Sequence, residues 1–385
     1  MTSAGRRESI RPDGRLKKDT KRVHSTPVAG IHTASVQEPK PRVSFIESKT
    51  PNLERISVLL AGCQKRNQWA NEGPLFHQLI EAYREHMDLP PDRALFPCSN
   101  GGIALEAMAR LHELKNGRRL RWLASSFSFS NLARGYFSDV SFLDCDETGL
   151  LDLTALENVD VNSYDGVIVT NPHGVCRNFQ PHIDFAKQSG KALLIDNAAG
   201  LNTQVPDWPW QCFSLHHTKP YGVGEGGLAL VPLHEYEELR SLLVYGSVPS
   251  QPACWLNNGK LSDISCAFHL DRLERFHDWA PLYHEQAQRV IEIAENVGLS
   301  PLLPFDGWAI ATSWPLLANQ EIAPERTDNS QSIVLAKYYK PLAATPRSQD
   351  IYNRLVNFPT HADVAQLTDE QIRNEMQKLL LHGGS

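Results

Sequence analysis

Two short apolar runs, "DGVIVTNP" (165–172) and "KALLIDNAAG" (191–200), flank the stretch "FQPHIDFAKQSG" (179–190), whose pattern is helical. Each run is too short for a helix and too apolar for a strand with one wet face. Strand, helix, strand in that order predicts parallel strands joined by a crossover helix. The same grammar opens earlier in "ALFPCSNGGIALEAMARLHEL" (94–114). An extended segment enters a Ser-Asn-Gly-Gly turn, and a helix leaves it with Ile103, Ala107, Met108, Leu111 and Leu114 inward. Ser99 or Asn100 is a natural cap. The chain therefore reads as α/β.

The folded part is expected to begin near residue 50, where "GPLFHQLIEAYREHM" places Leu75, Leu79, Ile80 and Tyr83 on one helical face. A large α/β domain is expected over 51–245. Beyond it the texture changes: "CAFHLDRLERF" and "LYHEQAQRVIEIAENVG" are amphipathic helices, and Thr368 with Gln371 forms a capping box in "LTDEQIRNEMQKLLL". Residues 246–385 read as a smaller α+β domain. Residues 1–50 hold eleven Lys/Arg against five Asp/Glu in a chain of net charge −6, so the remainder carries −12. That basic stretch has no apolar periodicity and reads as a solvated, disordered tail. The acidic body argues against a nucleic-acid-binding domain. No apolar run is long enough to cross a bilayer and no secretory signal is visible, so no membrane role is expected. The seven cysteines form no CxxC pair. They are expected to be free thiols of a reducing, cytoplasmic compartment.

The chemistry concentrates in "SLHHTKPYGVGEGGL" (214–228). Gly222, Gly224 and Gly227 have the spacing of a dinucleotide fingerprint, but such a loop must open a helix, and here the strand-like "LALVP" comes next. His216 and His217 are adjacent on an extended segment and point to opposite faces, so no metal site is expected. That leaves Lys219, preceded by the apolar run "WQCFSLHH" and followed by glycines that keep bulky side chains away. A lysine in a partly desolvated pocket loses its proton and becomes a nucleophilic amine that bonds a carbonyl.

If that carbonyl belongs to pyridoxal 5'-phosphate, the ring nitrogen needs a carboxylate. Asp196, at the carboxyl end of "ALLID", is the candidate. The phosphate needs helix N-terminal amides and a hydroxyl, which Asn100, Gly101, Gly102 and Ser214 supply. The ring face needs a flat neighbour, for which Phe129 in "SSFSFS" qualifies.

These residues resemble the DegT/StrS family of pyridoxal-phosphate-dependent sugar aminotransferases. The resemblance covers roughly residues 55 to 380, through "NEGP", "SNGGIAL", "SFSFSNLA", "LIDNAAG", "FSLHHTKPYGVGEGG", "NNGKLSD", "YYKPL" and "VNFPTHADVAQLTDEQI". It implies a fold type I, aspartate aminotransferase-like architecture and Lys219 as the Schiff-base residue. It also implies that Asn258 reaches the cofactor phosphate of a partner subunit, hence a homodimer with shared active sites. The implied reaction moves an amino group from an amino acid, glutamate, to the keto group of a nucleotide-linked deoxysugar. The chain departs from the family pattern at Gly102 (usually threonine), at Ala199 (commonly glutamine or histidine near the cofactor's phenolic oxygen), and more mildly at Ser128 and Lys260. Sugar dehydratases of this fold generally carry histidine in place of the lysine, so Lys219 favours transamination. The alternatives are other pyridoxal phosphate chemistry, a non-sugar ketone acceptor, a cofactor-binding or regulatory protein without turnover, and nucleic-acid binding through the basic tail.

Overall fold

A computed structural model describes residues 42–381. Seven strands form the main sheet: β1 (Arg93–Cys98), β2 (Trp122–Ser125), β3 (Ser141–Leu143), β4 (Gly166–Thr170), β5 (Ala192–Asp196), β6 (Gln211–Ser214) and β7 (Gly227–Pro232). Their order is β1-β7-β6-β5-β4-β2-β3, with β7 antiparallel to both neighbours and every other pairing parallel. This is the expected α/β class. Pro97, which lacks an amide hydrogen, is tolerated because β1 is an edge strand.

The two-residue period of a strand explains why β4 and β5 are apolar throughout. Ile168 and Leu194 point into one core, whereas Val167, Val169, Leu193 and Ile195 point into another, with Phe179, Ile183 and Ala186 of the crossover helix. Burying each such side chain is worth ~1.5–3 kcal/mol, which pins the register. The first core also receives helices α1 (Leu53–Arg66), α2 (Pro74–His86) and α3 (Gly101–Asn116). Asn100 caps α3 by accepting the Ile103 amide at 2.9 Å.

A second sheet of three antiparallel strands comes later in the chain, in the order β10-β9-β8, where β8 is Ser300–Pro301, β9 is Ser313–Leu317 and β10 is Leu355–Pro359. The helix Asp369–Leu380 shares its apolar core, and both bonds of its Thr368–Gln371 capping box are formed. Packing passes from the first core to this one inside the long helix Phe276–Val297. Trp279, Ala280 and Tyr283 belong to the first, and Ala287, Val290 and Ala294 to the second. The helix Asp263–Glu274, beyond the expected boundary at 245, packs Cys266, Leu270 and Leu273 into the first core.

Residues 42–50, assigned to the basic tail by composition, instead pack against the folded body. Val43 bridges to Ile333, and buried Glu47 pairs with buried Arg272 at 2.7 Å while accepting the Tyr283 hydroxyl at 2.8 Å. Charge counting missed this because the segment's single carboxylate finds a partner more than 200 residues away. Residues 1–41 of the expected tail, and 382–385, lie outside the described residues. All seven cysteines are buried and unpaired. Among the described residues no helix is long and apolar enough to cross a membrane.

Candidate active site

The carboxyl ends of β4, β5 and β6 open into a cavity of about 770 Å³. Open α/β sheets place ligands there, because strand ends release the chain into loops while helix starts present free amides. Asp196 ends β5, in register with Thr170 of β4 and Cys212 of β6. Lys219, Asp196, Phe129, Ser214, Asn100, Gly101 and Gly102 all line this cavity. Asn258 does not: it is exposed outside it, and its side-chain oxygen accepts from the Lys260 ammonium.

Lys219 sits in the hairpin joining β6 to β7. Pairing of Leu215 with Gly226 (2.8 Å) and of His217 with Gly224 (2.7 Å) closes the hairpin. Its glycines serve close packing. A Cβ at Gly222 would lie 2.0 Å from the His216 carbonyl oxygen, and one at Gly227 would lie 2.4 Å from the Asn100 carbonyl carbon. The second contact brings β7 against the first turn of α3, so the glycine run shapes the pocket from behind. The glycines lead into strand β7 and open no helix, in keeping with the rejection of a dinucleotide loop. His216 lines the cavity with Nδ1 2.9 Å from the Thr218 hydroxyl, and His217 is exposed. Among the described residues no cluster of His, Cys, Asp and Glu is placed to hold a metal.

The electrostatics suit an amine beside an acid. Desolvation lowers the Lys219 pKa below the usual lysine range, and the nearby Asp196 charge opposes that shift. Burial raises the Asp196 pKa, opposed by the Cys212 thiol at 3.4 Å, the Ala198 amide at 3.3 Å and the charge of Lys219. A cation placed against Asp196 would restore its ionised form.

Does the wall fit pyridoxal phosphate? Four residues of the wall each carry a buried polar atom with no protein partner: Ser128 Oγ, Asn131 Oδ1, Thr170 Oγ1 and His173 Nε2. Such orphans are costly unless a ligand or water satisfies them. The Gly101 and Gly102 amides lie in the first turn of α3, where helical amides have no carbonyl partner. Ser214 stands beside them, its Cβ 3.3 Å from where a Cβ at Gly101 would lie. Phe129 lines the cavity with 58 % of its surface exposed, so its ring is available to a flat group. The donor set fits a phosphate, a ring and a ring nitrogen.

Several wall residues were not foreseen. Thr170 had a visible cue, since it ends an apolar strand beside Asp196. His173, Phe45 and Ile46 had none, because their neighbours are remote in sequence. Phe45 packs edge-on against Tyr338, ring centroids 5.2 Å apart, at the cavity wall. Ala199, noted as a departure, lines the cavity too.

Comparison with known proteins agrees with this geometry. The model of the DegT/DnrJ/EryC1/StrS aminotransferase family matches residues 54–379. Protein Rv3402c of Mycobacterium tuberculosis is 28% identical over 256 residues, and the match spans 60% of this chain and 60% of that protein. A DegT DnrJ EryC1 StrS aminotransferase from Brucella abortus superposes with a TM-score of 0.71 at 17% identity, over 84% of this chain and 95% of that one. DesI, solved in the presence of its TDP-sugar product, superposes with a TM-score of 0.72 at 18% identity, over 86% of this chain and 90% of that one.

Proposed function

The chain belongs to the DegT/DnrJ/EryC1/StrS aminotransferase family, and from that membership we propose that it moves an amino group from glutamate to the keto group of a nucleotide-linked deoxysugar. The observation that carries this reading is the meeting of Lys219 and Asp196, from separate segments, in one cavity with an unsatisfied polar wall. The acceptor class is supported by analogy with DesI and its TDP-sugar product.

In this reading Asp196 would hold the ring nitrogen of pyridoxal 5'-phosphate, and Phe129 would lie against the ring. The Gly101 and Gly102 amides, with Ser214, would hold the phosphate at the positive end of α3, whose first turn Asn100 caps. The bound group supplies an aldehyde for the Lys219 amine and an electron-withdrawing ring that stabilises negative charge on a substrate carbon. Lys219 supplies the proton chemistry. Desolvation lowers the pKa of this amine, so Nζ would take the proton from the donor's α-carbon as general base and give it back as general acid. Phe45, Ile46, Tyr338 and Tyr339 wall the space where that transfer occurs and limit water there. By resemblance to the family, Asn258, exposed outside its own chain's cavity, would serve the site of a second copy, so the working form is proposed to be a homodimer. Buried, unpaired thiols support a reducing cytoplasm as its location.

The test is a visible spectrum of the purified chain with pyridoxal phosphate, before and after glutamate, then assay against a panel of nucleotide ketosugars. The proposal expects a visible band that glutamate bleaches and amination of a panel member. A band that no amino donor changes would indicate a binding protein without turnover.

A further inference from the structure

His173 comes just after β4 in "TNPHGV" and is itself unusual: a non-glycine residue at φ +63°. Only its surroundings can hold it there. Gly174 is pressed so closely on the 199–200 backbone that a Cβ would lie 2.1 Å from the Ala199 carbonyl oxygen. The imidazole stands edge-on to Tyr339, centroids 4.7 Å apart. Buried Asn357 fixes the rest: its oxygen accepts the Tyr338 amide at 2.8 Å, so its NH2 group faces His173 Nδ1 at 3.0 Å. An amide nitrogen only donates, so Nδ1 accepts and the ring proton resides on Nε2. That Nε2–H is buried and has no protein partner, and His173 is one of the residues that line the cavity. Burial, with a smaller push from the charge of Lys219, keeps the ring neutral, with a pKa down to about 3.

Sheet order says what this donor meets. The ends of β6, β5 and β4 lie side by side and carry Ser214, Asp196 and, just past Thr170, His173. Pyridoxal phosphate bears its phosphate arm and its ring oxygen on opposite edges of the axis from ring nitrogen to aldehyde carbon. With that axis between Asp196 and Lys219 and the arm toward Ser214, the oxygen edge faces the end of β4. Ala199 on that side has no side-chain donor.

We propose that His173 donates its Nε2–H to the ring oxygen of bound pyridoxal phosphate, the role that Ala199 cannot fill. The inference rests on the cofactor reading of Lys219 and Asp196.

Loss of a proton from the Lys219–cofactor linkage leaves negative charge on that oxygen, which a donor stabilises. The experiment is a pH titration of the visible band in the cofactor-loaded wild-type, His173→Ala and His173→Gln chains. Removing the donor in His173→Ala should raise the midpoint by about one pH unit, and the amide of His173→Gln should restore most of the shift. An unmoved midpoint in His173→Ala overturns the inference alone, while a wild-type chain with no band overturns the cofactor reading with it. Should the variants fold poorly, histidine-¹⁵N NMR of the wild-type chain reads the same bond. Adding pyridoxal phosphate should shift one Nε2–H proton downfield, and no shift refutes the proposal.

Discussion

The ammonium of Lys49 donates to the carbonyl oxygen of Lys219, across 170 residues of chain. It also donates to the carbonyls of His217 at 2.7 Å and Gly222 at 2.8 Å, so one side chain ties three points of the hairpin. The Arg272 guanidinium adds a bond to the Pro220 carbonyl at 3.0 Å while pairing with Glu47. The 42–50 segment is thus a clamp on the backbone that positions the reactive amine.

Replacing Lys49 with methionine keeps the stem and removes all three bonds. Lys49→Met should lower stability by about 1–3 kcal/mol, since the freed carbonyls are left poorly paired. Turnover should fall further than cofactor affinity, because the amine is misplaced while the phosphate contacts survive. Thermal melts beside steady-state rates check this; unchanged kcat would remove the clamp from the account.

Asp196→Asn removes a charge the ring nitrogen needs while preserving shape. Turnover should drop about a hundredfold or more, with the chain still folded by circular dichroism. A milder perturbation is Cys212→Val, which deletes the thiol donor at 3.4 Å. It should raise the Asp196 pKa further and weaken cofactor retention several-fold, read by dialysis against buffer.

The pH dependence of stability has a separate source at the far end of β4. The Arg118 and Arg121 guanidiniums hold Asp165 well below the usual carboxylate range, with contacts of 2.8 to 3.1 Å. A carboxylate depressed in the folded state stabilises it above the unfolded pKa of about 3.9 and loses that contribution as pH falls toward the folded value. Asp165→Asn should therefore cost about 1–3 kcal/mol at pH 7. The gap from wild type should narrow below about pH 4 in urea titrations. A gap independent of pH would assign the loss to packing instead.

Local neighbours decided what was legible in the chain. The apolar runs of β4 and β5, the Asn100 cap, the Thr368–Gln371 box and the strand after the glycines stem from residues within a few positions of one another. Asp196 and Lys219 were legible because strand ends and small-residue turns announce themselves locally. His173 was not. Its meaning depends on Asn357, 184 positions away, whose own orientation is set by the Tyr338 amide. The clamp from Lys49 was hidden for the same reason, and its basic neighbours disguised it as tail. The antiparallel insertion of β7 between β1 and β6 was likewise invisible, since its apolar pattern suits either direction.

The most direct measurement is to load the chain with pyridoxal phosphate, reduce it with borohydride, digest it and locate the label by mass spectrometry. The account predicts a phosphopyridoxyl group on the peptide carrying Lys219, and on that lysine alone. Label at another lysine, or none, would contradict it.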